Sequence, residues 1–243
     1  TMTPPSEPKP IPADIQRCVV LRVAVFDPIG VQVSPTITQS YFLAHLSPSH
    51  SLYPILSMCA DSSVFISDST GLFVRGITWK ENNPIESGNY HQKGRAWERT
   101  VNLEYYDPDG GRLNQQCGLR LHGLSSRKIT QKAFRFYARD EVGEPYFNIK
   151  PFEDKDINRY KRLVAKPMSA SWTPSGCSDY VRSRLALDTE TDYLATKPMV
   201  AYVNGEYWGV YYLMERIDDW YVKTNYPDVV RDSVDIIENW YGL

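Results

Sequence analysis

The 243-residue sequence is short of the features on which most function classes depend. It has only four histidines, at positions 45, 50, 91 and 122, and no two of them stand at the i, i+4 spacing that puts two zinc ligands on one helix face. Neither HExxH nor GxSxG occurs, which sets aside the common zinc-hydrolase and serine-hydrolase constellations. The four cysteines, Cys18, Cys59, Cys117 and Cys177, are far too widely spaced for CxxC redox or zinc-ribbon motifs. Two long-range disulfides and four buried thiols both fit that spacing. No apolar run approaches the ~18 to 20 residues that span a bilayer, and the best, Cys18 to Phe26, is interrupted by Arg22. Charge of one sign is missing too. With 27 basic and 29 acidic side chains the formal charge is −2, without the basic surplus of a nucleic-acid binder. The expected partners therefore include no nucleic acid, and no membrane span is expected.

Aromatic residues are plentiful. Seventeen Tyr, 6 Trp and 17 Pro beside 14 Gly describe aromatic strands with punctuated loops. This predicts an α+β protein dominated by antiparallel sheet. Residues 1–14 read as a Pro-rich lead-in. Residues 15–47 hold two strand patterns, Val19 to Phe26 and Thr36 to Ala44, and a pair of strands is marginal alone. The stretch after them, with a short apolar strand at Tyr53 to Cys59, reads as a connector, followed by a long loop from Ile77 to Ala96. Val101 to Tyr106, Gln115 to Gly123 and Lys132 to Ala138 form an antiparallel meander, with DPDGG as a hairpin turn. That turn lacks the further oxygen ligands of a calcium loop. Tyr160 to Lys166 is a strand and Cys177 to Ala195 a helix. Asn204-Gly205 turns a hairpin, Asp218 to Thr224 is a short helix, and Val234 to Ile237 a last strand.

One window stands apart in its chemistry. Between Leu119 and Gly143 lie Arg120, His122, Arg127, Lys128, Lys132, Arg135 and Arg139, on two strands and the loop HGLSSR between them. A glycine, the hydroxyls of Ser125 and Ser126, and backbone donors are material for binding phosphate oxygens. Strand alternation puts Lys132 with Phe134 and Phe136 on one face, and Arg135 with Tyr137 and Arg139 on the other. The residues alone leave two readings: a solvated basic strand paired with Asp140, Glu141 and Glu144, or an anion site.

The segments VNLEYYDPDGG, GLRLHGLSSR, QKAFRFYARDEVG, YKRLV, VNGEYWGVYYLMERIDDWYVKTNY and VDIIEN, in this order, resemble the spore coat protein H (CotH) kinase family over roughly residues 50 to 243. NGEYWGVY followed by ERID is the most diagnostic. VVLRVAVFDPIGVQVSPTITQSYFLA is similar to the last strands of the fibronectin-like module of chitobiase C-terminal type that precedes this domain in bacterial surface proteins. The resemblance divides the chain into a partial β-sandwich module over 15–47 and a kinase-like domain over 48–243. It implies the N-lobe of a divergent kinase-like fold, transferring the γ-phosphoryl group of ATP, with Mg²⁺, to Ser or Thr of a surface or coat protein. On that mapping HGLSSR, with Ser125, Ser126 and Arg127, covers the phosphates, and Lys132 or Arg135 supplies the strand cation. Cys177 to Ala195 is the N-lobe helix, and Met214 to Ile217, including Glu215, is the hinge facing adenine. The family's catalytic Asp near an Asn and its metal-binding Asp do not follow VDIIENWYGL. No catalytic or metal residue is therefore assigned, and the chain by itself is expected to lack kinase activity. The other function the resemblance implies is adhesion to a surface protein or glycan. Export to the cell surface is expected from the architecture.

Overall fold

Apolar side chains at alternate positions along residues 99–137 call for a sheet that buries one face, and the computed structural model of the chain shows how that face is closed. It describes residues 18–42, 52–84, 87–168 and 177–237. The first strands, β1 (Val19–Val23) and β2 (Ile37–Tyr41), pair only with each other as an antiparallel ribbon. Then come β3 (Ile55–Cys59), the single-turn α1 (Ser63–Ile66), β4 (Arg99–Tyr106), β5 (Arg112–His122) and β6 (Ala133–Tyr137). A two-residue ladder of β7 (Phe147–Asn148) and β8 (Arg159–Tyr160) precedes β9 (Arg162–Pro167) and α2 (Ser178–Ala186). The hairpin of β10 (Thr196–Val203) and β11 (Glu206–Met214) leads into α3 (Asp219–Asn225).

Seven of these strands close a barrel in the order β10-β11-β9-β6-β5-β4-β3. All neighbours are antiparallel except β10 and β3, whose parallel pairing closes the ring from Val200↔Ile55 to Val203↔Met58. Closure removes the open edges that a flat sheet would expose. The inward positions are filled: Leu56, Met58, Leu103, Leu119, Phe134, Phe136, Leu163 and Tyr211 belong to one buried cluster. Burying each such side chain stabilises the fold by about 1.5–3 kcal/mol. The β10–β11 hairpin turns at Asn204 (φ 49) and Gly205 (φ 83), left-handed positions that select Asn-Gly. A Cβ on Gly205 would also meet the Cys18 carbonyl oxygen at 2.7 Å.

The meander is observed as β4, β5 and β6, adjacent and antiparallel. The connector is not. Ile55–Cys59 is a fully buried stave that closes the barrel, because the ribbon covers its outer side: the Ser40 and Ser57 hydroxyls meet at 2.8 Å, and Ile55 packs with Cys18, Val200 and Tyr202. The expected helix over 177–195 stops at Ala186, where the Thr189 amide and hydroxyl both turn back to the Ala186 carbonyl and the Asp- and Thr-rich sequence beyond it favours turns. The strand expected over 234–237 is absent. Ile236 and Ile237 are exposed there and pair with no strand among the described residues, so β-propensity alone does not make a strand of them. Tyr160 to Lys166 divides between β8 and β9, which belong to different sheets. All four cysteines are free thiols, with Cys18, Cys59 and Cys117 buried. The lead-in over 1–14 lies outside the described residues.

Candidate functional site

The alternation that fills the barrel leaves a second, outward face on β5, β6, β9 and β11. Arg135 sits opposite Arg120 on one side and Val164 on the other, Tyr137 opposite Arg162, and Lys166 opposite Tyr212. His122 ends β5 and Arg216 follows β11, so six cationic or imidazole side chains gather on one wall. Helix α2 covers the β9–β11 end of this wall. Tyr180 stacks on Tyr212 at 6.2 Å between ring centroids, and Lys166 pairs with Asp179 in the first turn of the helix at 2.5 Å.

Most of these cations have a carboxylate. Glu98 accepts from Arg120 at 2.7 Å and from Arg139 at 2.9 Å. Asp218 accepts from Arg162 at 2.8 Å and from Arg216 at 3.1 Å, while its other oxygen caps α3 through the Trp220 and Tyr221 amides. The Tyr137 ring lies between four guanidinium groups, those of Arg120, Arg139, Arg162 and Arg216, at 4.5 to 5.9 Å from its centroid.

Arg135, in the middle of the wall, is the exception. Among the described residues no carboxylate stands within ion-pair distance of it, and its buried Nε has no hydrogen-bond partner. Its Nη2 reaches His122 Nδ1 at 2.8 Å. A guanidinium can only donate, so Nδ1 carries the lone pair and the imidazole is neutral. Burial, and then the charges of Arg135, Arg216, Lys166 and Arg127, push the His122 pKa down to about 3. The centre of the face is thus a cation whose Nε is left without a partner among the described residues.

The other residues expected at a phosphate site are placed differently. Arg127 and Lys132 are buried and spend their donors on carbonyl groups. Arg127 Nε donates to Gly123 O at 2.6 Å, and its Nη1 to Gln92 O at 3.0 Å and His91 O at 3.3 Å. Lys132 Nζ donates to Arg127 O at 2.7 Å and Ile129 O at 3.0 Å, 4.8 Å from the centre of the Tyr90 ring. Burial without a carboxylate pushes its pKa down to about 7. Ser125 and Ser126 lie with Arg127 in one 3-10 turn, Ser125–Lys128. Glu215 sits in a separate buried network, accepting from Lys155 Nζ at 2.5 Å, the Ala195 amide at 2.9 Å and Asn225 Nδ2 at 3.0 Å. Its own amide donates to Ala195 O at 3.2 Å. The structure therefore brings Arg135 to the outer wall with Arg127 buried behind it, and sets Glu215 apart from both.

Lys166, Asp179 and Arg216 escaped the reading of the sequence. A signal was present: Lys166 is a strand lysine on the same face as Arg162 and Val164, followed by a helix with Asp179 in its first turn. Among the described residues, no group of three His, Cys, Asp or Glu side chains could hold a metal ion. The family model described as CotH kinase protein matches residues 119–238, about half of the chain, taking in the last four residues of β5 and all of β6, β9 and β11. No curated protein matches the chain.

Proposed function

Residues 119–238 of this chain belong to the CotH kinase family, and from that premise we propose that the outer basic wall binds the phosphate groups of ATP in an atypical protein kinase acting on Ser or Thr of a protein substrate. The observation that carries the reading is Arg135, a guanidinium held in place by His122, with no carboxylate in ion-pair distance among the described residues and its Nε unpartnered. Phosphoryl transfer demands little covalent chemistry of the protein; positioning and charge neutralisation do most of it. Arg135 offers a planar pair of donors suited to two phosphate oxygens, and neutral His122 orients that plane without adding charge. The Lys166–Asp179 pair joins the last strand before α2 to the helix itself, the arrangement by which kinases fix the strand lysine that contacts phosphate. Here aspartate stands where kinases use glutamate. Arg216, tied to Asp218 and to the Tyr137 hydroxyl, borders the wall where the chain leaves β11. A divalent ion bound with the nucleotide would spread the remaining phosphate charge.

The test is phosphotransfer from ATP to a Ser-rich protein, measured on the full protein and on a Lys166→Met variant. The reading expects a loss of at least ~100-fold in kcat/KM, about 2.7 kcal/mol of transition-state stabilisation. Undiminished turnover in the variant would remove Lys166 from the site.

A further inference from the structure

Strands β1 and β2 cover the barrel on the side away from the basic wall, and their ribbon has two unlike faces. Thr38 and Ser40 point inward and are each 4% exposed. They are fixed by the Ser40 amide donating to Glu104 at 2.8 Å and by Asn114 Nδ2 donating to Thr38 O at 2.9 Å. The opposite face carries Val19, Leu21 and Val23 with their cross-strand partners Tyr41, Gln39 and Ile37. Its five apolar members are 48 to 72% exposed. No charged side chain stands on it, and the chain beyond Val23 also exposes Val25, Phe26 and Val33. Monomeric proteins rarely expose one apolar patch of more than a few hundred Å². The five apolar members leave roughly 500 Å² exposed, so two such faces stacked on one another would bury about 1,000 Å², the lower bound of a specific interface.

We propose that this face is a self-association surface, on which two copies of the chain stack ribbon against ribbon about a two-fold axis. The occupant follows from charge and area. A face without a charged group offers nothing to recognise an acidic or basic partner or a lipid headgroup, whereas an uncharged face meets its own copy without repulsion. Two-fold stacking places the same patch on both sides, as an isologous interface requires. It also converts two isolated strand pairs, each marginal by itself, into a four-stranded sandwich whose layers bury these side chains between them.

Sedimentation equilibrium of the full chain from about 1 to 200 μM, the range that brackets micromolar affinities, tests this. The expected result is a monomer–dimer equilibrium with a Kd of tens of micromolar or tighter. Leu21→Lys with Ile37→Lys should weaken it at least ~30-fold by placing two charges per copy in the buried layer. Both side chains are exposed in one copy, so the urea midpoint of the dilute monomer should be unchanged, which separates lost association from lost folding. A wild-type chain that stays monomeric throughout, or a dimer indifferent to the double substitution, overturns the proposal.

Discussion

Lys132, just before β6, and Arg135, within it, are three residues apart and belong to two different regions of the molecule. Lys132 is at the end of the barrel, under the 3-10 turn, where carbonyl oxygens of Arg127 and Ile129 take its ammonium. Arg135 is on the outer wall, where its neighbours are His122 and other cations and where a buried Nε has no partner. Lys155 completes the comparison, a buried cation answered by the Glu215 carboxylate. All three are basic and partly or wholly withdrawn from water, so basicity does not distinguish a binding group from a structural one. What distinguishes them is whether the protein itself satisfies the donors. Two of these cations are satisfied by the fold, and the third keeps a donor that no described residue takes.

Perturbing each member should give a different signature, the largest at Lys155. Glu215→Ala leaves that ammonium buried without its carboxylate and should lower the unfolding free energy by about 3–5 kcal/mol in urea titration. Lys132→Met removes the donor from two carbonyls while relieving the burial of a charge, and a net loss of about 1–3 kcal/mol is expected. The same variant carries a pH signature. The folded pKa of Lys132 is about 7 against an ordinary 10.5, so between these values the unfolded chain holds a proton that the folded one lacks. Stability should therefore rise with pH from about 7 to 8.5, with a slope approaching ~1.4 kcal/mol per pH unit, and flatten in Lys132→Met. Below pH 7 both states are protonated and the contribution to the slope vanishes. Arg135→Met should give the smallest change, within about 0.5 kcal/mol of the wild type in phosphate-free buffer, because no carboxylate is orphaned. Adding inorganic phosphate should raise the melting temperature of the wild type and leave that of Arg135→Met unmoved. A loss of several kcal/mol in Arg135→Met would make it a structural cation after all and end the comparison.

Local signals were legible where the physics is local. The Asn204-Gly205 hairpin and the three-strand meander follow from turn chemistry and alternation, and both are present, as is the short helix expected from Asp218 to Thr224, observed as Asp219–Asn225. Barrel closure could not be read the same way. Ile55–Cys59 pairs in parallel with β10, some 145 residues further along the chain. Its short apolar pattern says nothing of that partner. Of the candidate site, the basic window was visible as a cluster, and alternation correctly separated Lys132 from Arg135. Which of the two keeps free donors depended on the carbonyls of a 3-10 turn, and such turns leave no periodic trace. Lys166 lies outside the basic window, and its partner Asp179 belongs to a helix thirteen residues away in sequence, so nothing local marks the pair.

The central claim, that donors left unsatisfied by the fold mark the phosphate site, is tested most directly by calorimetric titration of Mg·ATP into the wild type, Arg135→Met and Lys132→Met. The account predicts measurable binding to the wild type, a loss of at least ~10-fold in Arg135→Met, equivalent to about 1.4 kcal/mol, and affinity within ~3-fold of wild type in Lys132→Met once folding is verified. Binding that survives Arg135→Met and disappears in a folded Lys132→Met would contradict it.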